Sequence, residues 1–379
     1  MEIGVIIHIG PYSVPAFDSD PRRRRTQNGS EWYYKRLIEK GTFHPTSGWK
    51  ETQAFHATTC PDVAYAQFAD QINFGEAEVE TWIQQAVMIK AGYVIITSRH
   101  HDGFCMWPSQ HGPHVNVDVV GLVARLACAA GLRFGIYYSW LDWDHGMSKK
   151  YLETIVRPQL MELTTMYNPD IWWFDGDWTA KSGPAVPVMA HICAYLKTVN
   201  PHVEMNDRGT GTEATYHVFG DRHIPPNRED NWEHVNTIGY SWGYNRYATD
   251  DMFKSGQQLF DLYTEVRAKG GKFLINLGPS HEGYLDPRET VALTDFATYL
   301  DYSPAMVLIT RDEAEVMVTY LKANPDDGYA YIKTHLFTAT GAKVDDAFFL
   351  GPMLDALTIL FDTDNLEPAI VAVMTHLRA

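Results

Sequence analysis

Trp172-Trp173-Phe174-Asp175-Gly176 is an apolar, aromatic run that stops at a carboxylate and a glycine. An amphipathic stretch at 151–167, with a kink predicted at Pro158, and an Asn168-Pro169-Asp170 turn lead into it. Residues 171–175 therefore read as a buried strand. A carboxylate at the last position of such a strand is costly unless it is hydrogen-bonded or used. In parallel α/β folds that end of the strand is where active sites gather. Asp175 is the first candidate catalytic residue.

Outward from this stretch the chain repeats one phrase: an amphipathic helix, a Gly or Asn-Pro stop, then a short apolar strand. Val79, Trp82, Ile83, Ala86 and Val87 recur at helical spacing before Gly92 and a strand at 93–97. Residues 121–130 lead through Gly131 to a strand at 133–138, and 186–199 lead through Asn200-Pro201 to one at 203–206. Leu259, Leu262, Tyr263 and Val266 precede Gly270-Gly271 and a strand at 273–277. With an opening strand at 4–9 these make six, and two weaker ones fall at 216–219 and 238–240. Alternating βα units at this count predict a (β/α)8 barrel of the TIM type over 1–303 rather than a doubly wound sheet. No strand is followed by GxGxxG or a P-loop, so nothing calls for an open nucleotide-binding sheet. After a last helix at 287–301 the texture changes to short β-rich runs, which predict a small antiparallel β domain at 304–379 with a packing role.

Composition narrows the function classes. The 379 residues carry 31 Lys and Arg against 47 Asp and Glu, a net charge of −16. Such a surface repels nucleic acid and anionic membranes, and it admits a neutral substrate. The one basic run, Arg22 to Arg25, reads as a solvated loop. The four cysteines lack metal-like spacing, and Cys128 and Cys193 fall in helical patterns as expected core thiols. No leader or bilayer-length apolar run is visible, so the expected location is cytoplasmic. A chain whose leader had been removed would read the same. Assembly into homo-oligomers is left open. Eleven Trp and 21 Tyr suit either a Trp-rich core or a sugar-binding cleft, where rings stack on pyranose faces.

The strand ends share a character. His8, His100-His101-Asp102, Tyr138 with Trp140, Asp175 with Asp177, and Asn206-Asp207-Arg208 each close an apolar run. One strand-end histidine is ordinarily structural, whereas five such ends together describe the catalytic face of a barrel. Two chemistries compete. A divalent metal held by His8, His100, His101 and Asp175 would activate water. Adjacent His100 and His101 point opposite ways on an extended strand, which disfavours that set. The other chemistry is glycoside hydrolysis by two carboxylates, with no metal or cofactor.

Specific strings then carry a resemblance. Gly4-Val5-Ile6-Ile7-His8-Ile9-Gly10, Glu31-Trp32-Tyr33, His100-His101-Asp102-Gly103-Phe104, Tyr137-Tyr138-Ser139 and Trp173-Phe174-Asp175-Gly176 occur in this order. Asn206-Asp207-Arg208-Gly209, Trp232-Glu233, Ser241-Trp242-Gly243-Tyr244 and Asn276-Leu277-Gly278-Pro279 continue it. From about residue 4 to about residue 300 the chain resembles glycoside hydrolase family 29, the α-L-fucosidases. The β-rich tail resembles theirs only in position and kind. Ile9 departs from the family's usual Trp.

The resemblance implies a retaining exo-α-L-fucosidase that removes terminal fucose from oligosaccharides or glycoconjugates. Asp175 would form a covalent fucosyl-enzyme, which also permits transfucosylation. It implies Asp221 as the acid/base, with Glu233 and Glu229 as runners-up; retention needs that group roughly 5–5.5 Å from the nucleophile. It implies sugar contacts from His8, Glu31, Trp32, His100, His101, Tyr138, Trp173, Arg208 and Trp242. Fucose offers hydroxyls for the His, Glu and Arg side chains and a methyl for the aromatic ones. Asp102 is expected to orient its turn. The competing functions are a metal-dependent barrel hydrolase and a catalytically silent fucose-binding protein.

Overall fold

The structure, a computed structural model, describes residues 2–18, 29–41, 48–179, 183–209 and 212–302. The basic run at 22–25 and the β-rich tail at 304–379 lie outside the described residues.

Apolar runs with Gly or Asn-Pro stops become the strands of one parallel sheet. They are β1 (Ile3–Ile7), β2 (Tyr93–Arg99), β3 (Arg133–Ser139), β4 (Ile171–Asp175), β5 (Glu204–Met205), β6 (Glu233–Thr237) and β7 (Lys272–Leu277). The order is β5-β4-β3-β2-β1-β7-β6, and every pairing is parallel. The sheet curls, and its two edges are linked through a short segment. Tyr216 bridges to Asn206 after β5, and His217 bridges to Trp232 before β6. Ile6, Ile95, Tyr137, Ile171, Val235 and Leu274, drawn from six strands, belong to one buried cluster inside the curl.

Two strand assignments shift. The expected strand at 216–219 is reduced to the two bridges. The expected strand at 238–240 is a loop, and β6 stands earlier, at Glu233–Thr237. Its sequence, EHVNT, has no apolar run to betray it, yet all five residues are buried.

Helices cover the outside of the curl. Glu76–Met88 buries Val79, Trp82, Ile83 and Ala86, with Val79 and Ile83 each worth about 1.5–3 kcal/mol when fully removed from water. Val119–Ala129 is capped by Asp118, whose carboxylate accepts the Gly121 N–H at 2.8 Å. Its buried stripe is Val119, Val120, Val123 and Ala127, so Cys128, one position round, is exposed and not a core thiol, whereas Cys193 is buried. The expected kink near Pro158 is a π-helical turn, Leu152–Val156, running into the helix Arg157–Tyr167. Proline has no N–H to donate into the preceding turn, and the widened π turn is where the helix absorbs that break. Beyond β4 the chain turns at Gly176, φ +84°, where a Cβ would come within 2.7 Å of Leu141 Cβ. Only glycine lets the backbone leave Asp175 in this direction.

Candidate active site

The C-terminal ends of the strands surround a cavity of about 230 Å³. His8 follows β1, His100 and His101 follow β2, Trp173 and Asp175 end β4, Glu31 and Trp32 come from the 3-10 turn Ser30–Trp32, and Asp221 and Trp242 come from loops. Tyr137, Trp178 and Val235 also line it.

Asp175 is held on three sides. Its Oδ2 accepts the Tyr137 hydroxyl at 2.8 Å and its Oδ1 accepts Arg208 Nη1 at 2.7 Å. His101 Nε2 lies 3.8 Å from Oδ2. Burial alone would raise this carboxyl, but the Arg208 charge and the hydrogen bonds donated by Tyr137 and Arg208 outweigh it and hold Asp175 below the usual carboxylate range. Arg208 forks across two acids, since its Nη2 also donates to Asp221 Oδ1 at 2.7 Å. Burial would weaken the guanidinium, and the two carboxylates more than reverse this. The Asp221 side chain keeps 31% of its surface exposed against 11% for Asp175, so it faces the mouth of the cavity.

The histidines are neutral acceptors. His101 Nδ1 is 2.6 Å from Ser139 Oγ, whose own hydrogen goes to Leu141 O at 2.8 Å. Nδ1 must therefore carry the proton, and Nε2 presents a lone pair to the cavity. His8 Nδ1 sits 2.6 Å from the amide oxygen of Asn276, whose NH2 is spent on Trp242 O, so the same tautomer follows. Burial pushes both imidazoles down to about 4. His100 Nδ1 is buried without a hydrogen-bond partner among the described residues. Glu31 is anchored by backbone N–H groups of Gly29 at 2.7 Å and of Trp242 and Gly243 at 3.3 Å, while burial lifts its carboxyl above normal.

Four candidates do not line the cavity: Arg208, which reaches it only through the two acids it bonds, and three that stand apart. Tyr138 turns outward, and its hydroxyl donates to Gln159 Oε1 at 2.6 Å on the helix behind β3. Its place belongs to Tyr137, because strand neighbours point to opposite faces. Register would have revealed this: Tyr137 pairs with Trp173 and Ser139 with Asp175, so the odd positions of β3 share the face of the acid. Glu229 is exposed in the turn before β6. Glu233 is buried below the cavity, where its carboxylate accepts the Trp173 Nε1–H at 2.7 Å and a short hydrogen bond from the Tyr93 hydroxyl. Asp102 accepts the Tyr65 hydroxyl at 2.6 Å and the Phe104 N–H, as an orienting group does. Among the described residues no group of three or more His, Cys, Asp and Glu side chains is arranged to hold a metal ion, and no helix is long and apolar enough to cross a membrane.

Known proteins bear on this arrangement. The chain is 28% identical over 330 residues to an alpha-L-fucosidase of Dictyostelium discoideum, covering 79% of this chain and 68% of that one. It is 28% identical over 317 residues to human tissue alpha-L-fucosidase, covering 76% and 63%. The Thermotoga maritima alpha-fucosidase in complex with fucose superposes with a TM-score of 0.64 at 29% identity, over 79% of this chain and 72% of that one. A Bacteroides thetaiotaomicron enzyme, solved as a trapped covalent intermediate with 2-fluoro-fucosyl fluoride, gives 0.63 at 25% identity, over 80% and 74%. The sequence model of the family Alpha-L-fucosidase matches residues 1–303. With that span covering most of the chain, the protein belongs to the alpha-L-fucosidase family of glycoside hydrolases.

Proposed function

We propose that the protein is a retaining exo-α-L-fucosidase built on a (β/α)8 barrel over 1–303, with Asp175 as nucleophile. The observation that carries this is Asp175 itself, a buried carboxylate kept ionised by Arg208 and aimed into the cavity by Tyr137. Attack by Asp175 on the anomeric carbon breaks the glycosidic bond while Asp221 gives its proton to the departing oxygen. Water, losing a proton to the same Asp221, then cleaves the fucosyl ester with a second inversion. An acceptor sugar in place of water yields a transfucosylation product. Arg208 bonds both acids, a geometry that suits two carboxylates acting on the same bond.

A cavity of about 230 Å³ falls below the roughly 300–1,000 Å³ of drug-sized sites and fits one terminal sugar. The lone pairs of His8 and His101 accept fucose hydroxyls, and the aromatic walls, Trp32 and Trp242 among them, suit its methyl and ring carbons. The substrates are oligosaccharides or glycoconjugates ending in α-L-fucose. The trapped fucosyl intermediate of the Bacteroides relative supports the covalent step. The test is Asp175→Gly on an aryl α-L-fucoside with added azide. Activity should vanish, and azide should restore turnover as β-fucosyl azide. Undiminished hydrolysis by the variant would end this mechanism.

A further inference from the structure

We infer that Glu233 is a positioning residue for the nucleophile, acting through the Trp173 indole on both groups that bond Asp175. This rests on Asp175 as nucleophile, and the geometry extends two side chains beneath it. Trp173 Nε1 donates to Glu233 Oε1 at 2.7 Å. On the indole lie Tyr137, stacked at 5.5 Å and 17°, and the Arg208 guanidinium, 4.9 Å from the ring centroid. Those are the two side chains that supply one donor to each oxygen of Asp175. One indole thus sets the aim of the nucleophile, and one carboxylate sets the indole.

The anchor is an expensive one. Glu233 is 2% exposed, and a carboxylate buried that deeply costs far more than a backbone carbonyl offering the same acceptor. Its second oxygen is taken by Tyr93 from the opposite wall, so the carboxylate ties β6 to β2 and β4 across the inside of the curl. Burial, only partly offset by Tyr93 and Trp173, lifts this carboxyl to about 7. A filler would not need such a group. Loss of the anchor frees the indole to slide, and a misplacement of about 1 Å at a reacting group can cost on the order of 100-fold in rate.

Trapping by 2-fluoro-fucosyl fluoride separates this role from acid catalysis, because fluoride leaves with little help from an acid and the trapping rate reports attack by the nucleophile. Glu233→Ala should slow trapping by about 100-fold. It should slow aryl fucosides with good and poor leaving groups alike, with the loss in kcat rather than KM. Glu233→Gln, which still accepts from the indole, should keep most of the rate. Trapping at the wild-type rate would overturn the inference, and so would a loss confined to poor leaving groups, which would make Glu233 the acid. If Glu233→Ala fails to fold, Trp173→Phe carries the test: it keeps a ring, lacks the N–H and should trap slowly, and normal trapping would refute the inference. Mass spectrometry of the trapped wild-type enzyme keeps the two ideas apart, since a label away from Asp175 defeats the mechanism, not the positioning alone.

Discussion

Replacing Arg208 with Met removes the cation shared by Asp175 and Asp221 while keeping an unbranched apolar stem over Trp173. The contacts are 2.7 Å on each side, so the charge centres lie about 4 Å apart, worth roughly 4 kcal/mol per pair at an effective dielectric of 20. Burial already favours the protonated form of Asp175, and Arg208 is the largest force opposing it. Without it the acid limb of kcat/KM should move upward by roughly one to three pH units, the range that one close opposite charge commands. Arg208→Lys keeps the charge but loses the fork, so its limb should move less. The assay is kcat/KM on an aryl α-L-fucoside between about pH 3.5 and 8, since that profile reports the free enzyme. Thermal melts alongside it would register the buried charge left unpaired. An acid limb that stays in place in Arg208→Met, with activity scaled down equally at every pH, would refute the reasoning: Arg208 would then bind substrate without holding Asp175 ionised.

Asp221→Ala should lose rate mainly on fucosides with poor leaving groups, and azide should restore it; equal activity on both classes would show that another residue is the acid. Tyr137→Phe should lower kcat about tenfold or more by removing a donor from Asp175, whereas Tyr138→Phe should leave kinetics intact and cost about 1 kcal/mol of stability by orphaning Gln159. Glu289, 5% exposed at the start of the helix Pro287–Tyr302, is pushed up to about 8 by burial, against 4.5 ordinarily. Raised in the fold, its contribution is complete below about pH 4.5 and is lost as pH rises through about 8. At about 1.4 kcal/mol per unit over that gap the loss is on the order of 5 kcal/mol. Urea melts at pH 5 and 8.5 should show it, and Glu289→Gln should shrink the difference, leaving the share that Glu233 contributes over the same window.

Six strands were legible because burial on both faces writes a continuous apolar run with a glycine or Asn-Pro stop before it. β6 was not, since its side chains are satisfied by one another and by neighbours: Glu233 by Tyr93 and Trp173, and Asn236 by His234 and the Thr237 N–H. A polar strand whose partners lie far along the chain has no local signature. His8, His100, His101, Glu31, Trp32, Trp173, Asp175, Asp221 and Trp242 meet at one cavity, and Arg208 bonds both acids there. Motifs report which residues gather, but they do not report the face. The pair Tyr137-Tyr138 differs only in pleat parity, and Trp232-Glu233 hides its acid under an indole.

The fixed tautomers of His8 and His101 give the pocket a grammar of polarity. Ser139 and Asn276 spend the imidazole protons inward, so what meets the ligand is a pair of bare nitrogens. A sugar hydroxyl can answer with its hydrogen. A methyl ether has none to give, brings two lone-pair centres into opposition and adds the bulk of a methyl group. The direction in which hydrogen is offered thus becomes a criterion of fit beside shape, and O-methylated fucose should fail on both counts.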